Sequence, residues 1–581
     1  MKAIDLRSAC ILASCFAGCL IGVFFMSEPR AIDGALVLAG IVTYPATSAQ
    51  GIYFQNMWTA IHQILGLLLW IGISQSWVTV GFCGVLGATF VSGLMLVSLA
   101  LTERPALSLM IAMSIVLCAF VVQGPDYPIN FMSSHSFGQI ASSLTILCFG
   151  LFGNRRYLSA GLLAGLLPAF HPVSGSWAVL IISLAGLFLL RDDPRSLTRL
   201  LKGLAIGISC TILSFGYYWV NRIPLQSPVD TGVLSDFVQF WDYHRQVPYT
   251  YETSVISGLS LILLWVIFDH ARQSEKPAPL NMSFLLFTSA LGSWILYEGA
   301  HRLHALLPSA INGAILGRLV NNHYEVALAI IFAAILARRS AALLILALPF
   351  VLEFHVTRSV RNSLFLGMVV AAVYLLWPAR KIGVQGNPER RTLSCLTKVT
   401  PDRLVIGAFA GFIAISLHYL SVRTIPECSN ISIDDCRSPP VYRKFQETKW
   451  QGLTVAPAGL AMMIHRHAHK PVLLGASGFD FVPYLPQTGT QVRDIIELVY
   501  GQDFRNPSPQ FRNQGNLMQE MGKAHWAKLT NAEWNELARK FCIGAIIAPS
   551  DWTIQLTPNT DENNVRLYVL PDQDLDKCRI S

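Results

Sequence analysis

Apolar runs of about 15–24 residues recur along this chain from the N-terminus to about residue 421. A run near 20 residues is what crosses a ~30 Å hydrocarbon core as a helix. The pattern predicts a polytopic α-helical membrane protein rather than a soluble enzyme with an anchor. Composition agrees: 53% of the 581 residues are hydrophobic and only 13% charged, against about 25% charged in ordinary soluble domains. The net charge of +8 is read through topology, and nucleic acid is not expected as a partner. The first run is not an obvious cleaved signal, because further spans follow and no clear small-residue cleavage site is present.

Thirteen spans are expected, at about 9–26, 78–101, 105–122, 136–152, 157–171, 175–190, 203–220, 255–269, 281–297, 324–337, 341–355, 362–377 and 403–421. With the N-terminus inside, the cytoplasmic pieces hold 19 Lys and Arg, among them Arg7, Arg155, Arg156 and four in 191–202. The outer loops before the tail hold seven: Arg30, Arg222, Arg245, Arg302, Arg318, Arg358 and Arg361. This bias follows the positive-inside rule, and it survives only if residues 58–73 do not cross. WTAIHQILGLLLWIGI is therefore expected to lie along the outer interface, with Trp58 and Trp70 suited to that depth. Its 16 residues are also short for a span.

The inside loops are short and basic apart from 378–402, whereas the outer loops collect acids and histidines. That asymmetry puts any chemistry on the outer face. Asp33, in the outer loop 27–77 just after the first span, is the carboxylate expected to act as a base once burial or geometry prepares it; Asp126 in GPDYP is the second choice. The bland alternative for Asp33 is a solvated acid or helix cap. For a phosphate group, the stretch 298–325 offers Arg302 and Arg318, whose forks grip phosphate oxygens, with His301, His304 and His323 as further donors. The same cations would equally suit lipid headgroups. The turn AFHPVSGSW is read as a structural hairpin in which His171 is a satisfied polar residue, with a substrate contact as the alternative. Asp242 and His244 lie in WDYHRQVPY, a long outer loop that could cover substrate.

Past residue 422 the composition turns polar and Pro-rich with no spanning run, so the chain divides into a transmembrane part, 1–422, and a tail domain, 423–581. LTVAPAG, PVLLGAS, IGAIIAPS and VRLYVLP read as short buried strands. Segments 458–468, 490–500 and 531–541 read as helices, the last capped by Asn531. Alternation of strands and helices predicts a small α/β domain. An odd number of spans places it outside the membrane, in an oxidising compartment. The four tail cysteines then suit two disulfides, with Cys428–Cys436 and Cys542–Cys578 favoured among three possible pairings.

An inside N-terminus, an acid just after span one, an interfacial segment before span two, some thirteen spans and an outer C-terminal domain together resemble the GT-C class of membrane glycosyltransferases. That class includes the protein mannosyltransferases and the bacterial aminoarabinose transferases. The resemblance is best over residues 1–160: Asp33 fits the acid of the first outer loop, and FQNMWTAIHQILGLLLWIGISQSWVTV fits the second juxtamembrane helix and the entry to span two. Asp33 is followed by Gly34 where aminoarabinose-type members commonly carry a second acid, and the tail lacks a WWD-type signature. The resemblance implies transfer of a sugar from a polyprenyl-phosphate donor to a glycan, lipid or protein acceptor, with inversion, at the outer face of a bacterial inner membrane. It leaves room for a divalent ion, Mg or Mn, held by Asp33 and Asp126. Two other readings stay open. One is a transporter or flippase for a lipid-linked glycan, against which stand the lack of a clear inverted repeat and the few mid-membrane charges. The other is a noncatalytic assembly protein for surface polysaccharide.

Overall fold

Helices stand where the apolar runs predict them. The computed structural model describes residues 5–26, 29–121, 137–225, 228–241, 251–273, 276–303, 306, 319, 440–475, 481–512, 520–562 and 564–570. In chain order its first helices are α1 (Leu6–Phe25), α2 (Ala31–Leu38), α3 (Ala49–Gln55), α4 (Ala60–Trp70), α5 (Gln75–Thr102), α6 (Pro105–Val121) and α7 (Phe137–Gly153). There follow α8 (Tyr157–Phe170), α9 (Pro172–Leu189), α10 (Pro194–Asn221), α11 (Thr231–Phe240), α12 (Tyr251–Gln273) and α13 (Pro277–Arg302). Nine expected spans fall on these helices; the other four, from 324–337 to 403–421, lie outside the described residues. Five helices among the described residues are long and apolar enough to cross a membrane: α1, α5, α9, α10 and α13. The chain is thus a largely helical protein built for a membrane, with a small C-terminal sheet.

Small residues set the helix packing. A Cβ on Gly18 would lie 2.4 Å from the carbonyl oxygen of Gly87, and one on Gly22 would lie 2.0 Å from that of Cys83, so α1 and α5 touch backbone to backbone. The pair α8 and α10 does the same: Gly161 and Gly165 face Leu200 and Leu204, while Gly203 and Gly207 face Leu158 and Leu162. Close approach through small residues four apart is how helices associate in lipid, where burying apolar side chains gives no gain.

The segment around 58–73 forms α4, with 11 residues. At 1.5 Å per residue it rises about 16 Å, half of a ~30 Å hydrocarbon core. One face, with Ile61, Leu65 and Leu69, is buried, while Ile64, Leu67 and Trp70 are exposed.

The tail begins with α14 (Pro440–Glu447), β1 (Leu453–Val455) and α15 (Ala458–Met463), which runs on into a π-helical turn, Ile464–Ala468. Then come α16 (Gly489–Leu498), α17 (Lys523–Trp526), α18 (Asn531–Phe541), β2 (Ile543–Pro549), β3 (Thr560–Glu562) and β4 (Val565–Val569). The sheet order is β1-β2-β4-β3, with β1 parallel to β2 and the other pairs antiparallel. In β2, Ala545 and Ile547 join one apolar cluster and Ile546 and Ala548 the other. Burial on both faces explains why this strand is a continuous apolar run.

Two expectations for the tail are corrected, and one strand is added. Among its described residues PVLLGAS contributes a single bridge, Thr454 to Val472, and Gly475 N–H turns to Gln50 of α3 rather than extending the ladder. A short strand, β3, was not foreseen in its polar sequence. The cap of α18 is Thr530, not Asn531: the Thr530 side chain accepts from Glu533 N–H while Glu533 reaches back to Thr530 N–H, a reciprocal capping box. Cys542 is disulfide-bonded; Cys428, Cys436 and Cys578 lie outside the described residues, as does the pairing.

Candidate functional site

The tail sits on the described residues of segment 27–77, and Asp33 is where they meet. Residues 31–37 of α2 are all buried, including Asp33, which is 1% exposed. Placement in the first turn suits a carboxylate, since the helix N-terminus carries partial positive charge. An unpaired carboxylate at such depth would be very costly. Arg466, on the π-helical turn of the tail, supplies the partner: its Nε donates to Asp33 Oδ1 at 2.5 Å and its Nη2 to Oδ2 at 2.9 Å. This is a bidentate, charge-assisted pair, the stronger kind of hydrogen bond. The Arg466 side chain is 15% exposed, so the pair is shielded from solvent on most sides.

The neighbouring His465 makes a second connection. Its Nε2 is 3.0 Å from the Asp33 carbonyl oxygen, which can only accept, so Nε2 carries the proton. Its Nδ1 lies 3.0 Å from the Tyr44 hydroxyl, whose oxygen in turn accepts Val472 N–H at 3.3 Å. The relay is self-consistent with a neutral ring: Val472 N–H to Tyr44, Tyr44 O–H to Nδ1, Nε2–H to the Asp33 carbonyl. Burial lowers the pKa of His465 from the usual imidazole range, an effect opposed by the nearby Asp33 charge. Burial also raises the Tyr44 phenol. Phe54 of α3 stacks on the His465 ring with centroids 5.0 Å apart. Further along, Gln50 Oε1 accepts Gly475 N–H at 3.2 Å, and His469 Nε2 meets Gln75 Oε1 at 3.1 Å.

On the other side of Asp33 stands His62 of α4. It is fully buried, and its Nδ1 lies 2.6 Å from the Thr59 hydroxyl. Its Nε2 has no hydrogen-bond partner among the described residues. Burial, offset in part by Asp33, holds its pKa down at about 3. Gly34 makes this arrangement possible, since a Cβ there would come within 2.9 Å of both His62 Cδ2 and Met57 Cγ. The absence of a second acid after Asp33 thus has a steric reason in this chain.

A second outer segment also reaches the tail. Trp241 Nε1 donates to the Phe504 carbonyl at 2.8 Å, and Arg505 pairs with Asp236 of α11 at 3.1 Å. Asn56 clasps the backbone of Ile223 through both ends of its amide. Described residues of two loops expected on the outer face, 27–77 and 221–254, and the tail therefore converge on one end of the bundle.

The remaining sequence-selected residues divide into three groups. His171 is a helix cap: its Nδ1 accepts Ser174 N–H at 3.2 Å, which closes the turn into α9. Arg302 and His301 end α13; Arg302 Nε is paired with Glu298 at 2.9 Å, and the His301 ring stands edge-on to Tyr297 with centroids 4.7 Å apart. Asp126, Asp242, His244, His304, Arg318 and His323 lie outside the described residues. His465 and Arg466, which do meet Asp33, were not singled out in the sequence. The available signal was IHRHAHK, where three histidines and two cations interrupt a segment otherwise read as helix.

A divalent ion on Asp33 does not fit this arrangement. Both carboxylate oxygens already accept from the Arg466 guanidinium, which stands where a metal would bind. Among the described residues no group of three or more His, Cys, Asp or Glu is placed to hold a metal. No family model matches the chain, and neither a curated protein nor a solved structure matches it.

Proposed function

We propose that the chain is an inverting membrane glycosyltransferase that moves a sugar from a polyprenyl-phosphate donor to a glycan, lipid or protein acceptor, at the outer face of a bacterial inner membrane. The observation that carries this reading is the buried Asp33–Arg466 pair between the first outer loop and the tail. Its two charges match the two that such a reaction must handle. The acceptor hydroxyl oxygen attacks the anomeric carbon and loses its proton to a carboxylate, the role of Asp33. The bond from that carbon to the phosphate oxygen breaks, and its electron pair leaves with the phosphate, whose negative charge a guanidinium fork neutralises, the role of Arg466. In the paired state each group masks the other; substrate binding would separate them, the donor phosphate taking over Arg466.

The same pair favours one competing reading. A bidentate ion pair with a buried histidine relay is also what would clamp a tail domain onto a membrane scaffold in a noncatalytic assembly protein. Sugar transfer by the purified full-length protein, tested over a panel of polyprenyl-phosphate sugars and acceptors, separates the two. The glycosyltransferase reading predicts transfer that falls at least about a hundredfold in Asp33→Asn, the scale of a lost general base. No transfer across the panel, with the protein folded and retaining bound lipid, would select the clamp.

A further inference from the structure

At the end of the bundle away from Asp33, about 30 Å along the 20 residues of α1, a cleft of about 310 Å³ is lined by Arg7, Asn154, Arg155, Arg156, Tyr157, Ser196 and Arg199. We infer that this cleft is a binding site for the phosphate group of an anionic membrane phospholipid, separate from the Asp33 site.

Three separate pieces of chain bring the four arginines together: the start of α1, the turn between α7 and α8, and the first turns of α10. The wall beneath them is built. Arg7 Nη2 donates to Asn154 Oδ1 at 2.9 Å, and Asn154 Nδ2 is itself anchored on the carbonyls of Leu96 and Gly150 at 2.6 and 2.8 Å. Tyr157 and Ser196 are buried, while the four arginines are exposed. Asp5 acts on Arg7 and Asp193 on Arg155; the Asp193 carboxylate is also occupied in capping Ser196 N–H at 3.2 Å. Arg156 and Arg199 have no ion-pair partner among the described residues. The cleft therefore carries an excess of positive charge, and guanidiniums converging on one small space match the oxygens of a phosphate.

A lipid, rather than a soluble anion, is indicated by what borders the arginines in the chain. Leu6, Leu158 and Leu201 are 64%, 48% and 51% exposed, and each lies within two residues of a cleft arginine. At the end of membrane helices, a headgroup phosphate would take the guanidiniums as charge partners while exposed leucines of the same helices offer its acyl chains an apolar surface.

The test uses the full-length protein in a neutral detergent, titrated with dihexanoylphosphatidylglycerol, dihexanoylphosphatidylcholine and inorganic phosphate. Saturable binding of the glycerol lipid is expected, weakened about fivefold for each guanidinium removed in R156Q and R199Q, with part of the loss recovered in R156K and R199K. Both positions are exposed, so these variants should keep the parent's melting temperature. Equal binding of inorganic phosphate would overturn the lipid assignment. Equal binding of the choline lipid, or affinity unchanged in R156Q/R199Q, would overturn the site.

Discussion

Asp33 is tolerable in the core of α2 because Arg466 meets it with two N–H donors. Breaking a buried pair from one side leaves an uncompensated charge and costs about 3–5 kcal/mol, whereas removing both charges with apolar replacements is often neutral. Arg466→Met alone should therefore lower stability by about that amount, and Asp33→Leu/Arg466→Met should recover most of it. Thermal melts of the four proteins in the cycle, in one detergent, measure this directly; additive losses would mean the two residues do not interact. His465 gives a pH prediction. It faces Asp33, Arg466, His469 and Tyr44, and burial puts its folded pKa below the ordinary imidazole range. His62, held at about 3, has the same sign. Between folded and unfolded pKa values the unfolded chain binds more protons, so stability rises with pH. The contribution is complete above about pH 6.5 and is lost as pH falls toward the folded values. Melting temperature should drop on acidification from pH 7 to 5, less steeply in His465→Gln; a drop of the same size in that variant would remove His465 from the account.

Glycine decides which helices touch and which do not. On α10, Gly207 is pressed against the backbone of Leu162, while a Cβ on Gly216 of the same helix would meet nothing within 4 Å. Gly207→Leu should lower the melting temperature and the yield of folded protein severely, and Gly216→Leu should do neither; similar behaviour of both in size-exclusion and melting experiments would contradict the α8–α10 packing. A comparable contrast holds at Gly34, where even a methyl group meets His62 and Met57. Helix positions were legible from the sequence because apolar runs near 20 residues have one dominant explanation. Cap positions were less so: Thr530 and Asn531 are both good capping residues, and only the reciprocal bond with Glu533 selects Thr530. PVLLGAS is as apolar as a strand, yet Val472 and Gly475 spend their N–H groups on Tyr44 and Gln50 of the outer loop. That use of the backbone is a tertiary contact, which no local pattern reveals.

Over the whole molecule, two ends with different chemistry emerge. Described residues of loops counted as outer in the charge tally, 27–77 and 221–254, meet the tail; residues counted as inner, Arg7, Arg155, Arg156 and Arg199, meet one another. Asp33 was legible as a candidate because it lies in the loop just after the first span, where the resemblance implies an acid. Its partner was not, because Arg466 lies 433 residues away and the tail's seat on α2 depends on packing among Tyr44, Phe54 and His465. We propose this junction as chemically active and not only a clamp. Sugar transfer by folded Asp33→Leu/Arg466→Met, from a donor that the parent protein uses, tests it most directly. The neutral pair is expected to keep the tail seated while removing both the proposed base and the proposed phosphate partner. A catalytic junction would give a melting temperature near the parent's and transfer reduced by at least about a hundredfold. Transfer at the parent's rate would contradict it and leave Asp33 and Arg466 a structural joint.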